Sequence, residues 1–301
     1  MDEILKKLSP FTMVFFILII QVLGLLLAQT LNSNNVRAFS NPQSVLNPIY
    51  YLTLIIAFTL FLLAIIKFGK PWMIKVIMGI VLIFTLYFVY ETALFSFINY
   101  AWIIALALTV GTMFTIFYYP EWFVIDSVGI LVGAGAVAIF GVSLSVVPVL
   151  ILLILLAVYD FISVYETKHM IRLAEGVIDL KVPVLFVLPR SRQYSHAKWI
   201  RDSSALKGEE KLEKREAYFM GLGDAVIPST LVISANFFLT APSIGFVNIP
   251  ALGAMIGILV GYASLMILVS KGKPQAGLPL LNTGAIIGFF IGSTIAGIKL
   301  F

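Results

Sequence analysis

Cysteine is absent from the sequence, which excludes disulfides, thiol catalysis and zinc–thiolate sites. Charge is scarce as well. Of 301 residues 12% are charged and 60% hydrophobic, and the mean hydropathy is +1.04. A soluble domain carries roughly a quarter charged residues, so most of this surface is solvated by lipid. Histidine occurs only as His169 and His196, in a polar stretch without metal-ligand spacing and with no His-Glu-x-x-His helix. A zinc protease is thereby excluded, and no metal or cofactor is expected. The net charge of +5 would suggest a nucleic-acid partner in a soluble chain. Here the basic residues flank apolar runs, as membrane topology requires, and no nucleic acid is expected.

Apolar runs of the length a helix needs to cross a bilayer fall near 11–31, 48–68, 72–92, 97–119, 123–142, 145–167, 217–240, 247–269 and 278–299. The first is longer than a signal-peptide core and has no clear small-x-small cleavage site, so it reads as a retained span. With the N-terminus cytoplasmic, 18 of the 20 Lys and Arg residues lie on the inside, leaving only Arg37 and Lys299 outside. Adding or removing one span would invert every later loop and destroy this bias. The expected fold is therefore all-α: nine transmembrane helices arranged six plus three, N-terminus cytoplasmic and C-terminus extracytoplasmic. Residues 1–169 form the six-helix part, 170–216 a polar cytoplasmic loop and 217–301 the three-helix part. Inside the loop, Val182 to Leu188 is a short apolar run. It is too short to span, and reads equally as a surface or re-entrant element or as an ordinary packed loop.

Acids placed inside a membrane are costly and mark function. Glu91 and Glu166 lie at span ends, and Asp126 sits a few residues from Glu121 and Trp122, where interfacial water solvates it. Asp160 and Asp224 have apolar surroundings instead. Asp160 lies eight residues before Lys168, and Asp224 nine residues after Arg215; at 1.5 Å per residue both are roughly 12–13 Å below the cytoplasmic edge. Two antiparallel helices then carry carboxylates to one depth. Next to Asp224, Gly221 and Gly223 permit close backbone approach, and Pro228 removes a backbone donor four residues on.

Tyr159-Asp160 in one span and Gly221-Leu222-Gly223-Asp224 in the next resemble the paired motifs of the presenilin and signal peptide peptidase family of GxGD intramembrane aspartyl proteases. The resemblance extends to the six-plus-three architecture, and the absence of long insertions is similar to the archaeal homologues. It implies that Asp160 and Asp224 are catalytic, with Tyr159, Gly221, Leu222 and Gly223 in support. The family also has a Pro-Ala-Leu motif near the start of its last helix. The literal copy, Pro250-Ala251-Leu252, opens the eighth span from the opposite side of the membrane and reads as coincidence. Gly277-Leu278-Pro279 begins the ninth span on the expected side, with Gly in place of Ala, and is the substrate-binding stretch that the resemblance implies.

Two carboxylates close together in low dielectric cannot both ionise and titrate as a unit. One then takes a proton from water while the other donates to the scissile carbonyl oxygen. The expected partners are single-span transmembrane or signal-peptide substrates and the lipid bilayer of the cell membrane, with self-association left open. The competing reading is a proton- or ion-coupled transporter using the same paired acids, against which the lack of an internal repeat counts.

Overall fold

The computed structural model describes residues 2–68, 71–95, 97–166, 185–189, 195, 217–269 and 275–298. Among the described residues are nine α-helices. The first six are α1 (Asp2–Ser33), α2 (Asn47–Phe68), α3 (Pro71–Leu94), α4 (Ala101–Tyr118), α5 (Trp122–Ser143) and α6 (Val146–Phe161), which runs into a π-helical turn, Ile162–Glu166. The last three are α7 (Leu222–Phe238), α8 (Ile249–Val269) and α9 (Gly277–Ile295). Eight helical segments are long and apolar enough to cross a membrane, α6 counting with its π turn, and α7 is a shorter apolar helix of 17 residues. The chain is a mostly helical, polytopic membrane protein. Its outer surface is correspondingly oily: Phe117 is 78% and Val110 62% exposed.

Of the expected loop 170–216, only 185–189 and Ser195 lie within the described residues. Leu185–Pro189 forms strand β1, paired antiparallel with β2 (Ala217–Gly221), with Val187 opposite Phe219. The apolar run expected at 182–188 is thus a strand over its described part, rich in the Val and Phe that suit a pleat. A second small pair, β3 (Ser243–Ile244) and β4 (Val247–Asn248), joins α7 to α8.

The strand β2 changes the expectation for the seventh span. Residues 217–221 are extended rather than helical, and α7 begins only at Leu222. Asp224 therefore stands in the first turn of its helix, and a depth counted at the helical rise does not apply to it. The expected span ran helical through this stretch because its apolar residues fit either period.

At the centre lie α1, α5, α6, α7, α8 and α9. Ile17, Ile20, Leu25 and Ala28 of α1 are fully covered, and Gln21 Nε2 donates to Ser229 Oγ of α7 at 3.2 Å. The short α5–α6 turn is held from two sides. Ser143 Oγ accepts the Ala38 N–H at 2.7 Å, and the Leu144 carbonyl accepts from Ser234 Oγ at 2.8 Å. Helices α8 and α9 meet backbone to backbone. Gly253 and Gly257 face the Gly288 and Gly284 carbonyls so closely that a Cβ would not fit, the small-residue packing that membrane helices use in place of a hydrophobic driving force. Pro250 packs against Gly292, 15 residues along α9 from Gly277 and thus about 22 Å away. The literal Pro-Ala-Leu string is remote from the start of α9.

Candidate active site

Asp160 occupies the last turn of α6 and is buried, at 5% exposure. The helix then widens into the π turn, in which Ser163 Oγ donates to the Asp160 carbonyl at 3.0 Å. Such single-turn widenings cluster at functional sites, because the extra residue re-aims the side chains around it. Tyr159 is half-buried beside Asp160.

Asp224 is placed by a different local construction. Strand β2 ends at Gly221, whose φ of −63° and ψ of 134° are extended, and α7 starts directly. A Cβ on Gly221 would make ordinary contact with Asp224 Oδ2 at 3.4 Å, and one on Gly223 would meet only Ile227, at 3.8 Å. Leu222, between them, is partly buried and packs into the core. Pro228 lies within α7, so the Asp224 carbonyl lacks the donor that a residue four positions on normally supplies.

The start of α9 brings the two acids together. The Leu278 N–H donates to Asp160 Oδ2 at 3.2 Å. One residue earlier, a Cβ on Gly277 would lie 2.8, 2.9 and 3.1 Å from Oδ2, Cγ and Oδ1 of Asp224. Consecutive residues thus touch the two carboxyls. Of the two glycines whose missing Cβ faces the Asp224 carboxyl, Gly277 comes nearer to it than Gly221 does. Pro279 sits in the first turn of α9, where its missing N–H costs no helical bond. Among the described residues there is no cluster of acids and histidines that could hold a metal.

Two further contacts hold α9 in place. Tyr165, in the π turn, donates from its hydroxyl to Gln275 Oε1 at 2.7 Å and accepts the Ala276 N–H at 3.4 Å. Asn282 Nδ2 donates to the Leu153 carbonyl of α6 at 2.8 Å. Neither residue was singled out by the sequence, although a buried Asn one turn after Leu278 was a readable signal. An apolar cavity of about 300 Å³ adjoins the site, lined among others by Tyr51, Phe140, Leu156 and Ile227. Leu156 is one turn before Asp160 and Ile227 one turn after Asp224.

Asp126 departs from its expected interfacial solvation. It is 2% exposed, and its Oδ1 accepts the Val187 N–H of β1 at 2.8 Å. The strand covers it, and composition alone gave no sign that a segment following α6 would pack over α5.

Comparison with known proteins supplies an independent line. The family described as "Signal-peptide peptidase, presenilin aspartyl protease" matches residues 14–298. Two solved structures, each described as a presenilin family intramembrane aspartate protease, are similar over nearly their whole length. One, in a C222 crystal form, is 34% identical with a TM-score of 0.70, covering 95% of this chain and 99% of its own. The other, in a P2 form, is 37% identical with a TM-score of 0.68, covering 95% and 97%. Comparison with curated proteins gave no match.

Proposed function

Since the chain belongs to the signal-peptide peptidase and presenilin family and is an intramembrane aspartyl protease, we propose that Asp160 and Asp224 are its catalytic dyad. The observation that carries this reading is their convergence on one backbone step, with Leu278 N–H on Asp160 and Gly277 Cα against Asp224. The transporter reading gains no support from the comparisons.

The chemistry follows from the pair. Two carboxyls in one low-dielectric site hold a single proton between them. The ionised one takes a proton from a water, whose oxygen attacks the scissile carbonyl carbon. The protonated one donates to the carbonyl oxygen as the centre becomes tetrahedral. The intermediate collapses with proton transfer to the leaving nitrogen, and neither a covalent acyl-enzyme nor a metal is required. Leu278 N–H fixes the orientation of one carboxyl, and the missing Cβ of Gly277 leaves room for the other. Tyr159 supports the pair by hydrogen bonding.

The substrate is a single transmembrane segment or signal peptide. A helix shields its own carbonyls, so the segment must unwind, and the freed backbone groups need partners at that depth. The Gly277-Leu278-Pro279 stretch supplies them, and the 300 Å³ cavity receives an apolar side chain of the substrate. We further propose a cell-membrane location and the six-plus-three arrangement with cytoplasmic N-terminus, which the distribution of Lys and Arg supports. The test is to incubate purified protein in detergent with a single-span substrate and read the new termini by mass spectrometry. New termini inside the apolar segment are expected; cleavage confined to soluble flanks counts against the reading.

A further inference from the structure

Among the described residues, Asp126 is the one buried acid that the proposed reaction does not use. Its partner, Val187, stands opposite Phe219 in the two-stranded sheet, yet donates its N–H to Asp126 Oδ1 at 2.8 Å. In an antiparallel pair, residues alternate between bonding the partner strand and pointing away. Val187 is therefore a residue whose N–H points away from β2, and the carboxyl of Asp126 closes that outer edge of β1. The other carboxyl oxygen, Oδ2, is buried and has no hydrogen-bond partner among the described residues. Asp126 is spent on one acceptor bond.

The rest of the α5 face is shaped to the same task. Asp126, Gly129 and Gly133 follow at i, i+3 and i+7, a single stripe on the helix. A Cβ on Gly129 would stand 3.0 Å from Cε1 of Phe186, and one on Gly133 would stand 3.1 Å from Cδ1 of Leu222. Phe186 is 1% exposed and its ring lies 5.4 Å from that of Phe16 on α1. One stripe thus receives the N–H of β1, the ring of β1 and the residue that opens α7 two positions before Asp224. Of these contacts with α5 only the Asp126 bond is directional, so it sets the register of the strand against that helix.

Resting on the dyad reading above, we propose that Asp126 is a positioning residue. Its carboxyl oxygen, through Val187, seats the β1–β2 sheet on α5 and so fixes where Asp224 stands relative to Asp160. It touches neither substrate nor reacting atoms. Since only an acceptor is used, an amide oxygen does the same work, and the acidity of Asp126 takes no part in the reaction.

The test uses the purified full-length protein with a single-span substrate, each variant taken from the monodisperse fraction. Asp126→Asn keeps kcat within about threefold of the parent, the range of a modest hydrogen-bond change. Asp126→Leu lowers kcat by roughly 10- to 100-fold with KM unchanged, the scale of an ångström-sized misplacement of a catalytic group. The Val187 amide then exchanges with deuterium roughly tenfold faster or more, having lost its buried acceptor. Gly129→Val, which displaces Phe186 without altering the carboxyl, reproduces the loss in kcat. An Asn variant as inactive as the Leu variant overturns the proposal, because charge or a proton is then required. So does a Leu variant with parental kcat or an unchanged Val187 exchange rate. Where the Leu variant is not recovered folded, the Asn and Gly129 variants decide by the same criteria. Failure of the dyad itself shows separately, as cleavage that survives substitution of Asp160 and Asp224, while exchange at Val187 still reports on the tie.

Discussion

Replacing Gly277 by alanine pushes one methyl group against the carboxyl of Asp224. The new Cβ would lie 2.8 Å from Asp224 Oδ2, 2.9 Å from Cγ and 3.1 Å from Oδ1. Ordinary contact begins near 3.4 Å, so the carboxyl must retreat by about half an ångström. It is a side chain and can rotate, which makes the effect on stability small. Its effect on catalysis is larger, because a misplacement of about 1 Å costs on the order of 100-fold in rate. A shift of half that size corresponds to roughly tenfold in kcat, or about 1.4 kcal/mol in the barrier. Valine at the same position carries two further methyl groups and should lower kcat by more than about 100-fold. KM should change little, since Asp224 acts on the scissile bond rather than on the length of the bound segment. The assay is steady-state cleavage of a single-span substrate in detergent, with kcat and KM separated. Gly111→Ala on α4 is the control, because a Cβ there meets nothing within 4 Å. A Gly277→Ala enzyme with parental kcat, or one whose loss lies wholly in KM, would refute the reasoning.

Tyr165→Phe removes the hydroxyl that bonds Gln275 and the Ala276 N–H. Loss of about 1 kcal/mol of positioning predicts a roughly fivefold fall in kcat, measured in the same assay, with thermal stability nearly unchanged. Asn248→Ala separates stability from catalysis. Asn248 Oδ1 caps α8 by accepting the Ala251 N–H at 2.9 Å, and its Nδ2 serves the Ala235 and Leu239 carbonyls at the end of α7. Its loss should cost about 2–4 kcal/mol, seen as a lower unfolding midpoint in detergent, while the folded fraction keeps parental kcat.

The helices were legible because length and hydropathy dominate in lipid: Trp122–Ser143 and Ile249–Val269 differ from the sequence spans by one or two residues. The start of α7 was not. Ala217 to Gly221 is apolar enough to pass for helix, and only its pairing with Leu185–Pro189 makes it a strand. That pairing joins segments far apart in sequence, and no local preference encodes it. The same long-range contact explains Asp126, which looks interfacial along the chain and becomes buried when β1 folds over it. Asp160 and Asp224 were legible as acids in apolar surroundings. How they share a site was not, since it depends on the start of α9, where the Gly in place of the expected Ala looked like a degenerate motif. In the structure the missing Cβ of that Gly faces Asp224, where it would lie 2.8 Å from Oδ2. Tyr165 acts through a hydroxyl whose partners, Gln275 and Ala276, lie over 100 residues away.

The most direct measurement of the central claim is cleavage of a single-span substrate by the purified parent, Asp160→Asn and Asp224→Asn proteins side by side. Asparagine keeps the shape of each side chain but can neither share the proton nor accept one from water. Cleavage by the parent, with product falling below detection in both variants while both elute as the parent does, is the predicted result. Product at a parental rate from either variant would contradict the dyad.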